Sequence, residues 1–155
     1  MLEKGQPAPE FSSLNQDGQS VSLSDYKGKK NVVLYFYPKD DTPGCTIEAN
    51  QFTELADEFT KLDTVVLGVS KDSCDSHQAF IRKYGLGLEL LADTSGELCE
   101  RYGVWQEKEK GGVKKMGIVR STFIINKDGL LEEAMYAVGA DGHAREVLEK
   151  AKKLP

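Results

Sequence analysis

The chain has 155 residues, 39% apolar and 29% charged, with a formal net charge of −5, enough for one domain (residues 1–155) around a buried core. The acidic balance disfavours nucleic acid as a partner, because phosphate neutralisation needs concentrated Lys and Arg, and no apolar run approaches the roughly 18 residues of a membrane span. Three unevenly spaced cysteines and a start without an apolar leader exclude a secreted disulfide framework and make the cytoplasm the expected location.

In chain order, Pro7 and Pro9 hold an extended lead-in that ends at Phe11. Two short alternating segments, Ser12 to Asn15 and Ser20 to Leu23, flank Asp17-Gly18 and read as a hairpin. Asn31-Val32-Val33-Leu34-Tyr35-Phe36-Tyr37 is an apolar run with the character of a buried strand. From about Pro43 to Phe59, Phe52, Leu55, Ala56 and Phe59 recur at helical spacing. Thr64 to Val69 is a second buried strand, so the unit reads as a right-handed βαβ with parallel strands.

A helix follows from Ser73 to Tyr84 with Ala79, Phe80 and Tyr84 inward. Leu88 to Leu91 is a short strand, and Thr94 or Ser95 caps a helix carrying Leu98 and Cys99. Gly103 to Gly117 is polar and glycine-interrupted, and is expected to be an exposed loop, including the lysines from Lys108 to Lys115. Val119 to Ile125 and Leu130 to Val138 flank a Lys127-Asp128-Gly129 turn. Asp141 then caps a last helix with Val147, Leu148, Ala151 and Leu154 on its apolar stripe, and His143 exposed in its first turn. This is an α/β chain with a central mixed β-sheet flanked by helices and an N-terminal β-hairpin extension, compatible with the thioredoxin-like fold.

The chemistry is expected at the first strand-to-helix junction. Thr42 can serve as N-cap and Pro43 suits the first helical position, which puts Cys45 in the first turn. Unpaired N–H groups there favour a negative charge, and a thiolate is the nucleophilic form of cysteine. Gly44 allows close approach of a reactant, and the Thr42 hydroxyl is expected beside the sulfur. The competing reading is a small apolar residue at a junction.

Pro38-x-x-x-Thr42-x-x-Cys45 resembles the active-site signature of the peroxiredoxins. The longer string Tyr37-Pro38…Thr42-Pro43-Gly44-Cys45-Thr46…Glu48-Ala49…Phe52 is similar to their bacterioferritin comigratory protein, or PrxQ, branch. The resemblance implies a thioredoxin-like fold and a thiol peroxidase without cofactor or metal. Its substrates would be hydrogen peroxide and small alkyl hydroperoxides, and thioredoxin or another dithiol protein would recycle it. It points to Pro38 as a shield for the sulfur, to Arg120 in Arg120-Ser121-Thr122-Phe123 as the cation, and to Glu48 as the carboxylate orienting Arg120. A monomer or weak homodimer is implied.

The resemblance breaks at Asn50, where PrxQ-like proteins often carry a resolving cysteine. Others carry it near Ile81. Cys74, at the same sheet edge as Cys45, is then the first candidate resolver and Cys99 the second; otherwise an external thiol attacks the oxidised sulfur directly. A thioredoxin-like disulfide reductase is disfavoured because Thr42-Pro43-Gly44-Cys45 offers one sulfur where C-x-x-C needs two. A zinc site lacks paired ligand spacing. From another class, a non-catalytic peroxide sensor or chaperone-like binding module on the same scaffold is the alternative.

Overall fold

The computed structural model describes residues 1–155. In order the elements are β1 (Ser12–Asn15), β2 (Ser20–Ser22), a 3₁₀ turn (Leu23–Asp25), β3 (Asn31–Phe36), α1 (Pro43–Glu54), α2 (Ala56–Lys61), β4 (Thr64–Ser70) and α3 (Cys74–Tyr84). They continue with β5 (Glu89–Ala92), α4 (Glu97–Arg101), β6 (Trp105–Lys110), β7 (Val113–Ile118), β8 (Ser121–Ile125), β9 (Leu131–Met135) and α5 (His143–Ala151). Seven strands form one sheet in the order β2-β1-β5-β4-β3-β8-β9. Strands β3, β4 and β5 are parallel; at one side β8 pairs antiparallel with β3 and β9 with β8, and at the other β1 pairs antiparallel with β5 and β2 with β1. This is the thioredoxin-like arrangement, with the N-terminal hairpin joined to the β5 side.

β3 is buried along its whole length because both faces of the sheet are covered. Val33, Tyr35 and Tyr37 point to the layer of α1, α3 and α5, where they meet Cys45, Phe52, Phe80 and Val147. Val32, Leu34 and Phe36 point the other way, to Phe11, Leu98, Cys99 and Tyr102. Fully burying such a side chain stabilises the fold by about 1.5–3 kcal/mol, so this alternation fixes the register of the central strand.

Several expectations need correction. The helix from Pro43 does not run unbroken to Phe59. The N–H of Leu55 bonds to the carbonyls of both Gln51 and Phe52, and after this tightened turn α2 begins at Ala56 and carries the buried Phe59. The expected loop at 103–117 is the β6–β7 hairpin. Gly111 and Gly112, at φ +59° and +81°, make its two-residue turn, and cross-strand partners such as Glu109 and Lys114 hid the ladder behind polarity.

On α3 the inward stripe is His77 and Phe80 with Ile81 and Tyr84 beside them, while Ala79 is exposed. A histidine occupies a position that periodicity would give to an apolar residue. Ser95 Oγ accepts the N–H of Glu97 at 3.3 Å at the start of α4, and Asp93 adds a second cap, its carboxylate accepting the N–H groups of Leu98 and Cys99 at 3.1 and 2.8 Å. Asp141 accepts from Gln51 Nε2 at 2.6 Å, and Gly142 at φ +80° leads into α5. His143 is buried, not exposed, because the first turn of α5 packs on the sheet; its Nε2 lies 2.8 Å from Thr122 Oγ1. Burial lowers its pKa, partly opposed by Glu146.

Gly68, in the middle of β4, is glycine for lack of room. A Cβ there would stand 2.7 Å from Leu90 Cδ2 and 2.8 Å from Tyr35 Cζ. Gly68→Ala is expected to destabilise by about 1–3 kcal/mol in urea unfolding, the usual cost of overpacking. An unchanged midpoint would mean that the Tyr35 ring yields freely.

Candidate active site

Topology brings three elements to one sheet edge. β3 ends there, α1 begins there, and β8 starts there because it runs antiparallel to β3, with Ser121 opposite Phe36. The residue before β8 is Arg120, 75 positions from Cys45 in sequence yet beside it in space. The first intrahelical bond of α1 runs from the Thr46 N–H to the Thr42 carbonyl, so the N–H groups of Gly44 and Cys45 precede the helical ladder.

Cys45 is buried, and Arg120 Nη2 donates to its sulfur at 3.4 Å. The other guanidinium nitrogen, Nη1, donates to Glu48 Oε1 at 2.6 Å, and Glu48, one turn after Cys45, is fully buried. The planar fork thus spans sulfur and carboxylate at once, which an ammonium would do poorly. Burial lowers the pKa of Arg120, but Glu48 and the Cys45 sulfur outweigh it and the net shift is upward. Arg120 is a permanent cation.

Glu48 behaves differently. Burial pushes its carboxyl up to about 7, against the lowering influence of Arg120. Its Oε2 has no hydrogen-bond partner, and neither has the buried hydroxyl of Tyr35. The Tyr35 ring stacks on Phe52 with centroids 4.6 Å apart. Burial, then the charges of Glu48 and Cys45, raise the phenol well above its ordinary range, so it stays neutral.

Other site residues take positions that the sequence did not foretell. The Thr42 hydroxyl donates its proton to the Lys39 carbonyl at 2.8 Å and closes the turn. Pro38 lies half-buried where the chain leaves β3. A Cβ on Gly44 would come within 3.1 Å of Arg120 Nη2, so here the missing side chain leaves room for the guanidinium.

All three cysteines are free. Cys99 belongs to the core on the opposite face of the sheet from Cys45, and burial, then Asp93, raise its thiol far above the ordinary range. Cys74 is half-buried at the head of α3. Asn50 follows Cys45 on the same helix. No three His, Cys, Asp or Glu side chains gather as metal ligands, and no helix is long and apolar enough to cross a membrane.

Sequence reasoning missed what lies behind the turn. Asp40 and Asp41 bind side chains of α3, and Asp41 sits at φ +58° with its carboxylate held by Lys83 Nζ at 2.7 Å and Tyr84 Oη at 2.5 Å. The adjacent aspartates after Pro38 were the available signal.

Residues 4–134 match the model of the AhpC/TSA family. Peroxiredoxin Bcp of Bacillus subtilis is 44% identical over 153 residues, covering 99% of this chain and 97% of that one. A mutant structure of Xylella fastidiosa PrxQ superposes with a TM-score of 0.92 at 37% identity, over 98% of this chain and 96% of the other. The Xanthomonas campestris bacterioferritin comigratory protein, solved as trapped intermediate/ligand complexes that bear on alkyl peroxide reduction, superposes at 0.87 with 38% identity, over 92% and 90% of the two chains.

Proposed function

The chain belongs to the AhpC/TSA family as a thiol peroxidase of the bacterioferritin comigratory (PrxQ) branch, and from that premise we propose that Cys45 is the sulfur that reduces hydrogen peroxide and small alkyl hydroperoxides. The observation that carries this reading is the Arg120 guanidinium held between Glu48 and the Cys45 sulfur. The thiolate attacks one peroxide oxygen and the O–O bond breaks. The sulfur keeps that oxygen as a sulfenic acid, and the departing oxygen takes a proton and leaves as water or alcohol. Arg120 favours the anion before attack and faces the charge that develops on the peroxide. Pro38 and Thr42 shape the turn, and the N–H groups of Gly44 and Cys45 offer donors to the peroxide.

The second half-reaction needs a thiol. With Asn50 where PrxQ-like proteins often carry the resolver, Cys99 across the sheet and Cys74 a free thiol at the head of α3, we take an external dithiol such as thioredoxin to attack the sulfenic sulfur and expel water. Its second thiol then displaces Cys45 and closes the reductant's own disulfide. The branch resemblance also supports a cytoplasmic protein acting as a monomer or weak homodimer.

Intact mass and peptide mapping after one equivalent of peroxide test both halves. One added oxygen, located on Cys45, is the expected result. Loss of two hydrogens with linked Cys45 and Cys74 peptides would replace the external thiol by an internal resolver. An unmodified Cys45 would overturn the assignment. Many equivalents of peroxide consumed with thioredoxin present separate a peroxidase from a sensor, which stops after one.

A further inference from the structure

A buried polar network behind the turn takes no part in the chemistry above. Its centre is Asp40, only 8% exposed. The Asp40 carboxylate accepts from Tyr37 Oη at 2.6 Å and from Ser76 Oγ at 2.8 Å, and its Oδ2 lies 2.8 Å from His77 Nδ1. The Asp40 N–H donates to Asp72 Oδ2, which also takes the Ser70 hydroxyl. His77 is fully buried, and its Nε2 lies 2.9 Å from the Leu91 carbonyl of β5. A carbonyl only accepts, so Nε2 carries a proton, and a further proton lies between Nδ1 and Oδ2.

We propose that His77 is a positioning residue for the reaction at Cys45: through Asp40 it holds the Pro38–Thr42 turn, and with it the first turn of α1, in register with Arg120. The proposal rests on Cys45 being the reacting sulfur. Asp40 lies midway between Pro38 and Thr42, and α1 starts at the residue after Thr42. His77 is anchored at its far nitrogen to Leu91 of β5, so it ties the turn to a buried strand of the main sheet. Asp41, next in the chain, already occupies the left-handed region, where a non-glycine backbone stays only if its surroundings hold it. Its own contacts to Lys83 and Tyr84 are exposed, so the buried hold on the turn is the one at Asp40.

Two substitutions divide the ring's two contacts. His77→Asn puts an amide nitrogen near the place of Nδ1 and keeps the Asp40 contact while losing Leu91. His77→Gln puts it near Nε2 and keeps Leu91 while losing Asp40. Sulfenic acid formation on Cys45 is followed by rapid-quench mass spectrometry with hydrogen peroxide, beside thermal melts. His77→Gln is expected to slow oxidation roughly 10- to 100-fold, as small misplacements of reacting groups do, and His77→Asn to stay within about threefold of the parent. Similar losses of melting temperature in both variants would accompany that split.

Equal rates in both variants, whether at the parental value or reduced alike in step with the melts, would overturn the proposal. Where His77→Gln fails to fold, Ser76→Ala removes another donor from the same Asp40 oxygen. It is expected to slow oxidation about threefold, and a parental rate there would overturn the proposal too. Failure of the parent protein to form a sulfenic acid would instead strike the reading of Cys45.

Discussion

Arg120→Met is expected to slow the reaction of Cys45 with hydrogen peroxide by roughly 100- to 1,000-fold, the usual loss when one donor to a developing charge is removed. Methionine fills much of the volume and removes both contacts of the fork, to the sulfur at 3.4 Å and to Glu48 at 2.6 Å. Breaking a buried ion pair by deleting one partner often costs about 3–5 kcal/mol, because the remaining charge is stranded. Glu48 escapes that fate: its carboxyl already titrates near 7, so without Arg120 it takes up a proton and becomes neutral. The variant should therefore stay folded at pH 6 while its chemistry fails. Stopped-flow oxidation at that pH, beside urea unfolding, separates the two effects. A rate within threefold of the parent would show that the helix N–H groups suffice and that the guanidinium is structural. Arg120→Lys is expected to recover only part of the loss, since one ammonium does not reach sulfur and carboxylate together.

Much of this architecture was legible in the sequence because periodicity and punctuation agreed. The apolar run from Asn31 to Tyr37, the Thr42-Pro43 helix start and the stripe of α5 each had one reading, and the βαβ order fixed which ends meet at the Cys45 edge. Arg120 was found through the family likeness, as nothing local marks a residue before a strand; the antiparallel pairing of β3 with β8 explains its place. The β6–β7 hairpin escaped because only its base, Trp105 and Ile118, packs on the core, so beyond it the alternation that reveals a strand is carried by charges. His143 escaped for another reason, and His77 is buried in the same way. Each is buried by satisfying its ring nitrogens, a condition met by residues distant in sequence such as Asp40, Leu91 and Thr122. The Thr42 hydroxyl illustrates the same limit: its bond to the Lys39 carbonyl closes a turn whose residues Asp40 and Asp41 are bound by side chains of α3, far away in sequence.

Glu48 should also make the protein's stability depend on pH in a direction opposite to that of most carboxylates. Its ordinary value is 4.5 and burial raises it to about 7 in the folded chain. Below pH 4.5 both folded and unfolded chains hold the proton, and the contribution of this group is fully present. Between there and pH 7 the unfolded chain releases the proton while the folded chain keeps it, so stability falls as pH rises, by about 1.4 kcal/mol per unit. Above about pH 7 both states are ionised and the loss levels off, having reached about 3 kcal/mol. Glu48→Gln keeps an oxygen for Arg120 Nη1 and removes the titration. The stability of the parent relative to this variant, measured by urea unfolding, is therefore expected to drop by about 2–3 kcal/mol between pH 5 and pH 8. A difference that does not change over that range would mean that Arg120 holds Glu48 ionised throughout. The carboxylate would then share the guanidinium with the sulfur at every pH, whereas a neutral Glu48 below pH 7 leaves that charge to Cys45 alone.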